Sequence, residues 1–161
     1  MSDIIVNTDD IKRLAAKYAN VGPIVQQETT RGVTRAVVAI EGDAKRLAPV
    51  DRGQLRRSLN HEVKASGRDV VGTAGTNLAY ARFVEEGRRP GKMPPVAAIA
   101  GWAARHGIEP SAAFLIARSI GRRGTKPRPY LIPAFQKNRA LINRELGPVL
   151  LRRISDRLAA R

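Results

Sequence analysis

Residues 23–59 read PIVQQETTRGVTRAVVAIEGDAKRLAPVDRGQLRRSL. Within them Val33, Val37, Ile40, Ala44 and Leu47 recur at steps of 4, 3, 4 and 3. Residues three and four apart lie above one another on a helix, so this spacing predicts one long amphipathic helix over 23–48. Gly22-Pro23 marks a break before it, with proline suited to a first turn where its missing N–H costs nothing. Pro49 ends it, because the residue before a proline is pushed out of the helical region. Its β-branched residues, together with Gly32 and Gly42, lower its intrinsic propensity, so its stability must come from packing. Asp51 then stands three residues before Gln54, the spacing of a capping box, and Leu55 and Leu59 follow at i, i+4. This predicts a short helix over 51–59 with Asp51 as its cap.

On the upstream side, TDDIKRLAAKYA at 8–19 suits a short helix, capped by Thr8 and striped by Ile11, Leu14, Ala15 and Tyr18. On the downstream side, HEVKAS and DVVGTAG flank Gly67-Arg68 and predict an antiparallel hairpin. Residues 77–86 suit a helix capped by Asn77 and buried on two sides. GRRPGKMPP at 87–95 packs two glycines and three prolines into nine positions, which predicts a mobile basic loop. Helices are expected at 95–106 and 110–120, stopped by Gly107 and Gly121. GRRGTKPRP at 121–129 is a second basic loop. A C-terminal helix is expected over about 133–160, kinked or broken at Gly147-Pro148, where proline removes a helical hydrogen bond. The fold class is therefore α+β: a long N-terminal helix and a small antiparallel sheet flanked by helices. Residues 1–161 read as one domain, with a helical insertion at about 92–121.

Composition narrows the function. The chain has 161 residues, with 29 Lys+Arg against 14 Asp+Glu and a formal net charge of +15. Twelve of the cations but only two of the acids fall in residues 111–161. Such a surface suits nucleic acid, an acidic membrane face or an acidic protein. Cysteine is absent, which excludes disulfides, thiolate metal sites and a cysteine nucleophile. The acidic MSDIIVNTDDI start is no secretory signal. His61 and His106 have no acid or nucleophile at an informative spacing and read as surface histidines. Glu85 and Glu86 diverge as neighbours and make no acid/base pair. GTAGTN at 72–77 lacks the Lys-Ser/Thr of a phosphate loop and reads as a hairpin end. No enzyme, metal site or cofactor is expected. The two basic loops offer Arg88, Arg89, Lys92, Arg122, Arg123, Lys126 and Arg128. With Tyr130 the single aromatic nearby, they suit an acidic protein or a DNA backbone better than base readout.

Three stretches together resemble a known family. Ala48-Pro49-Val50-Asp51-Arg52-Gly53-Gln54-Leu55-Arg56-Arg57-Ser58-Leu59 is similar to the "APVDTGxLRxS" signature of tail-completion and head–tail-joining proteins of tailed bacteriophages, with Arg52 in place of the commoner Thr. Tyr80-Ala81-Arg82-Phe83-Val84-Glu85-Glu86-Gly87 resembles that family's "YAxxvExG" element. Lys126-Pro127-Arg128-Pro129-Tyr130-Leu131-Ile132-Pro133-Ala134-Phe135 resembles its closing "PRPFLxPA" element. The resemblance implies a non-enzymatic minor virion protein at the neck or upper tail, assembled in the host cytoplasm, with a tail-terminator-like fold. It implies a ring of identical copies, a hexamer with a twelve-fold ring as the alternative. Its partners would be neck, tail-terminator or tail-tube proteins and the packaged DNA backbone, with no membrane. Pro49, Asp51, Gly53, Leu55, Tyr80, Glu85, Gly87, Pro127, Arg128, Pro129 and Pro133 would hold a shape rather than perform chemistry. A basic protein that grips the DNA backbone without sequence readout is the alternative.

Overall fold

A computed structural model describes residues 21–67 and 69–159. The helix expected at 8–19 lies outside them. The long helix is present as α1 (Val21–Leu47), and it ends two residues before Pro49. Val33, Val37, Ile40 and Ala44 are buried along it, joined by Ile24 and Ala36. Leu47 departs from the expected stripe: it is 48% exposed, at the helix end where the chain turns away.

A short helix α2 (Gln54–Ser58) follows, and then the hairpin of β1 (Asn60–Ser66) and β2 (Asp69–Gly75). The strands are antiparallel, with Asn60 opposite Gly75 and Ser66 opposite Asp69, and Gly67 turns the chain at φ 57°. Alternation along β2 directs Val70, Gly72 and Ala74 toward α1, while Val71 and Thr73 face outward. At Gly72 the approach is close: a Cβ there would lie 2.5 Å from a Val33 methyl and 2.7 Å from a Val37 methyl. Only a glycine lets the hairpin lie this near the helix. Gln26 adds a hydrogen bond from its side-chain amide to the Gly67 carbonyl at 3.1 Å.

The rest is helical: α3 (Ala81–Glu85), α4 (Val96–Arg105), a 3₁₀ turn (Pro110–Ala112) running into α5 (Ala113–Arg123), α6 (Leu131–Glu145) and α7 (Pro148–Ala159). The single C-terminal helix expected at 133–160 is thus two helices, separated at Gly147-Pro148. The helix expected at 77–86 is shortened to one turn. Tyr80 rather than Asn77 precedes it, and no side chain caps it. It is buried on one side only, through Ala81, while Tyr80 and Phe83 are exposed.

α1 is the spine, packed by the hairpin, α2, α6 and α7. At its C-terminal end Ile40, Ala44, Ala48, Leu55, Leu59, Ala81, Tyr130 and Ala134 form one apolar cluster. Helix-to-helix closeness is again set by a glycine: a Cβ on Gly32 would lie 3.1 Å from the Glu145 carbonyl oxygen.

Charge crosses the same interface. Glu28, Asp43 and Glu145 are buried. Glu28 pairs with Arg31 at 2.8 Å and with Arg157 of α7 at 3.2 Å. Asp43 accepts hydrogen bonds from Arg46, from Lys137 at 2.9 Å and from the Asn138 amide at 2.7 Å. These donors hold its carboxyl well below the usual carboxylate range, Lys137 foremost. Glu145 takes Arg35 at 3.2 Å and Arg153 at 3.1 Å. Part of the C-terminal excess of positive charge is therefore absorbed inside the fold, neutralising buried acids that would otherwise be costly.

Candidate assembly site

The three motif stretches, far apart in sequence, meet at one joint. Glu85 is its pin. Its Oε2 accepts the backbone N–H groups of Tyr130 at 2.8 Å and Leu131 at 2.9 Å, and its Oε1 accepts that of Ile132 at 2.9 Å. These are first-turn donors of α6, which a helix cannot satisfy from within. The next residue, Pro133, has no N–H to satisfy. A carboxylate from another element, placed at the positive end of the helix dipole, completes the account. Sequence reading had grouped Glu85 among shape-holding residues without finding this partner.

Behind Glu85 the backbone forms a seam with the closing stretch. Arg128 N–H donates to the Val84 carbonyl at 2.8 Å, and Arg88 and Thr125 exchange backbone hydrogen bonds of 3.1 and 2.8 Å. Gly87, at φ 76°, is required here, since a Cβ would lie 2.6 Å from the Thr125 carbonyl oxygen and 2.9 Å from the Pro127 nitrogen. Gly124, at φ 73°, faces the Arg88 carbonyl so closely that a Cβ would lie 1.8 Å from it. Pro127 and Pro129 hold the extended approach to Tyr130, which is buried in the apolar cluster with Leu55. Burial pushes the Tyr130 phenol above its ordinary pKa. The residue is therefore no stacking platform for a base.

The first motif departs from expectation at Asp51. It does not cap α2: Gly53 occupies the cap position at φ 72°, and no side chain bonds the helix start. Asp51 instead receives a bidentate pair from Arg105 at the end of α4, with Nε to Oδ1 at 3.0 Å and Nη2 to Oδ2 at 2.8 Å. Two parallel N–H donors suit a carboxylate better than the distant backbone of α2. Arg105 holds the Asp51 carboxyl below its ordinary pKa. Asp51 thus docks the inserted helical pair on the motif loop. Beside the contact lies a cleft of about 700 Å³, lined by Pro49, Asp51, Tyr80, Trp102 and Arg128 among others. His106 stacks on Trp102, with ring centroids 4.5 Å apart. His61, expected to lack an acid, pairs with Glu41 across the face between β1 and α1.

The two basic stretches do not stand apart as free loops. Besides the Arg88–Thr125 pairing, the Gly91 N–H donates to the Gly121 carbonyl at 2.8 Å, and residues 121–123 belong to α5. Arg88, Arg89, Lys92, Arg122, Arg123, Lys126 and Arg128 therefore flank one seam. Among the described residues, no cluster of His, Cys, Asp or Glu is placed to hold a metal, and no helix is long and apolar enough to cross a membrane.

A family sequence model described as "Bacteriophage HK97-gp10, putative tail-component" matches residues 9–87. Those residues belong to the HK97-gp10-like family of bacteriophage tail components. No curated protein and no solved structure matches the chain. The match takes in the first two motifs, including Asp51, Glu85 and Gly87. As a member of this tail-component family the protein is a structural part of a tailed phage, acting in the virion against other tail or neck proteins. The closing motif lies beyond the matched span, and the fold joins it to that span through Glu85.

Sequence reading missed the apolar part of the surface. Phe83, Phe114, Leu115, Ile132, Phe135 and Leu151 are each at least half exposed, on α3, α5, α6 and α7. Their positions had been scored for helical stripes, and which stripe is covered is decided only by neighbouring elements.

Proposed function

We propose that this tail component forms a closed ring at the neck or upper tail, completing the tail and joining it to the head. A six-fold ring matches the symmetry implied by the family resemblance, with a twelve-fold ring as the alternative. The whole chain works as one domain, with 92–121 as a docked insertion. The observation that carries the reading is the joint at Glu85. Its three backbone hydrogen bonds and the glycines beside it fix the angle at which α6 leaves the core. A ring needs every subunit to hold one shape, because angular errors accumulate around it. The exposed large apolar side chains on four helices support contacts with further copies or neighbours, since isolated proteins rarely leave so much apolar surface bare. A tail-terminator-like position and assembly in the host cytoplasm fit this reading.

The test is gene deletion combined with averaged images of the particle neck. Deletion is expected to leave filled heads and tails that fail to join or complete, and the images to show a ring in that position. Heads and tails that still join would refute it. The second reading, a protein gripping the DNA backbone, draws on the cations along the seam. It predicts a small species that shifts duplex DNA with a steep salt dependence.

A further inference from the structure

We propose that residues 3–11 of one copy dock in an apolar groove between α3 and the α4–α5 pair of a neighbouring copy. This rests on the ring reading and names a contact that would close the ring. The groove encloses about 450 Å³ and is lined by Tyr80, Phe83, Pro94, Ile99 and Ile120, with Arg88 at its rim. Tyr80 and Phe83 are 42% and 54% exposed. Arg88 donates to the Lys92 carbonyl and pairs with no acid among the described residues. Arg89, Lys92, Arg122 and Lys126 adjoin groove-lining positions in the chain and are exposed. An occupant must therefore bring apolar side chains and negative charge, without positive charge of its own.

Residues 1–11, MSDIIVNTDDI, have that composition. Ile4, Ile5 and Val6 lie between Asp3 and the pair Asp9-Asp10, with no Lys or Arg among them. No other eleven-residue stretch of the chain carries three acids and no base. Reach decides which copy supplies it. Val84, on the groove wall, packs against the cluster of Ile40, Ala44 and Ala48 at the C-terminal end of α1. Val21 is at the other end of the described helix, and the rise from there to Ala44 is about 35 Å. The sequence pattern makes residues 11–19 helical, which spans only about 12 Å. The segment therefore falls short of the groove on its own chain and meets that of the next copy. A contact between two different faces repeats head to tail and closes when the rotation allows.

The absence of cysteine makes the test direct. One full-length chain carries Ile5→Cys, a second carries Phe83→Cys, and the two are mixed and oxidised. A disulfide-linked dimer is expected, and far less of one when Ile5→Cys is mixed with Arg152→Cys on α7. A chain carrying both Ile5→Cys and Phe83→Cys should give a ladder of multimers. A single chain closed on itself, or equal linkage to position 152, would overturn the proposal. Asp9→Lys with Asp10→Lys should lower the yield of linked dimer at least tenfold, and an unchanged yield would also overturn it. If the wild-type chain assembles but no link from 5 to 83 forms, the docking falls and the ring stands. If light scattering and particle images show only single copies, the ring reading itself falls.

Discussion

Glu85 is a single carboxylate that closes the hydrogen-bonding account of another helix's first turn. Glu85→Ala leaves the N–H groups of Tyr130, Leu131 and Ile132 without their acceptor, and should cost about 1–3 kcal/mol. Glu85→Gln keeps part of the acceptor set but not the charge at the helix dipole, so it should fall between. Urea midpoints for the three proteins check the order. Gly72 makes the opposite point, that an absent side chain is also an interaction. Gly72→Ala places a methyl into Val33 and Val37, and overpacking of this kind costs about 1–3 kcal/mol. Adding Val33→Ala should recover part of that loss. Strict additivity in the double variant would mean that the hairpin and α1 are not in the contact described.

At the scale of elements, Asp51 links the motif loop to the insertion rather than capping α2. Asp51→Ala should therefore leave the start of α2 intact and loosen α4. Hydrogen exchange measures this: amides of 96–105 should exchange faster, while those of 54–58 stay as in the wild type. Faster exchange confined to 54–58 would restore the capping role. Because this pair is partly exposed, its loss should change global stability by less than about 1 kcal/mol. The insertion is thus an element whose docking can be altered without unfolding the spine. The two basic stretches belong at this scale too. Their composition favours open loops, yet four backbone hydrogen bonds among Arg88, Gly91, Gly121, Gly124, Thr125 and Ile120 tie the ends of α3 and α5 together.

For the whole molecule, buried acids make stability depend on pH. Asp43, Glu41 and Asp51 all titrate below their ordinary values in the folded chain, each because cationic or amide donors favour the ionised form. The unfolded chain therefore binds more protons in the acid range, and stability rises with pH there. The contribution is complete above about pH 5 and is lost as pH falls through the depressed folded values. Asp43→Asn should flatten the acid limb of a stability-against-pH curve, losing most relative to wild type near neutrality and least at low pH. A parallel displacement of the whole curve would show that the Asp43 charge is not responsible.

The sequence by itself determined what depends on neighbours within a few residues. The 4-3-4-3 spacing made α1, Pro49 ended it, Gly67 turned the hairpin, and Pro148 divided α6 from α7. Gly53 took the left-handed conformation that a glycine in a tight turn suggests. The motif order also pointed to the family. Tertiary structure decided the partners. Asp51 had a plausible local acceptor role at Gln54, but Arg105, fifty-four residues on, offers a planar pair of donors that the backbone of α2 does not match. Glu85 lies forty-five residues from the helix it caps. Glu28, Asp43 and Glu145 looked like scattered surface acids until the packing of α1, α6 and α7 buried them beside arginine, lysine and asparagine. Gly32, Gly72, Gly87 and Gly124 read only as weak helix formers or turn residues, because the backbone or side chain each one admits comes from elsewhere in the fold. Local propensity acts over a turn of helix or a pair of strands, whereas charge pairing and close approach are settled when distant elements are brought together.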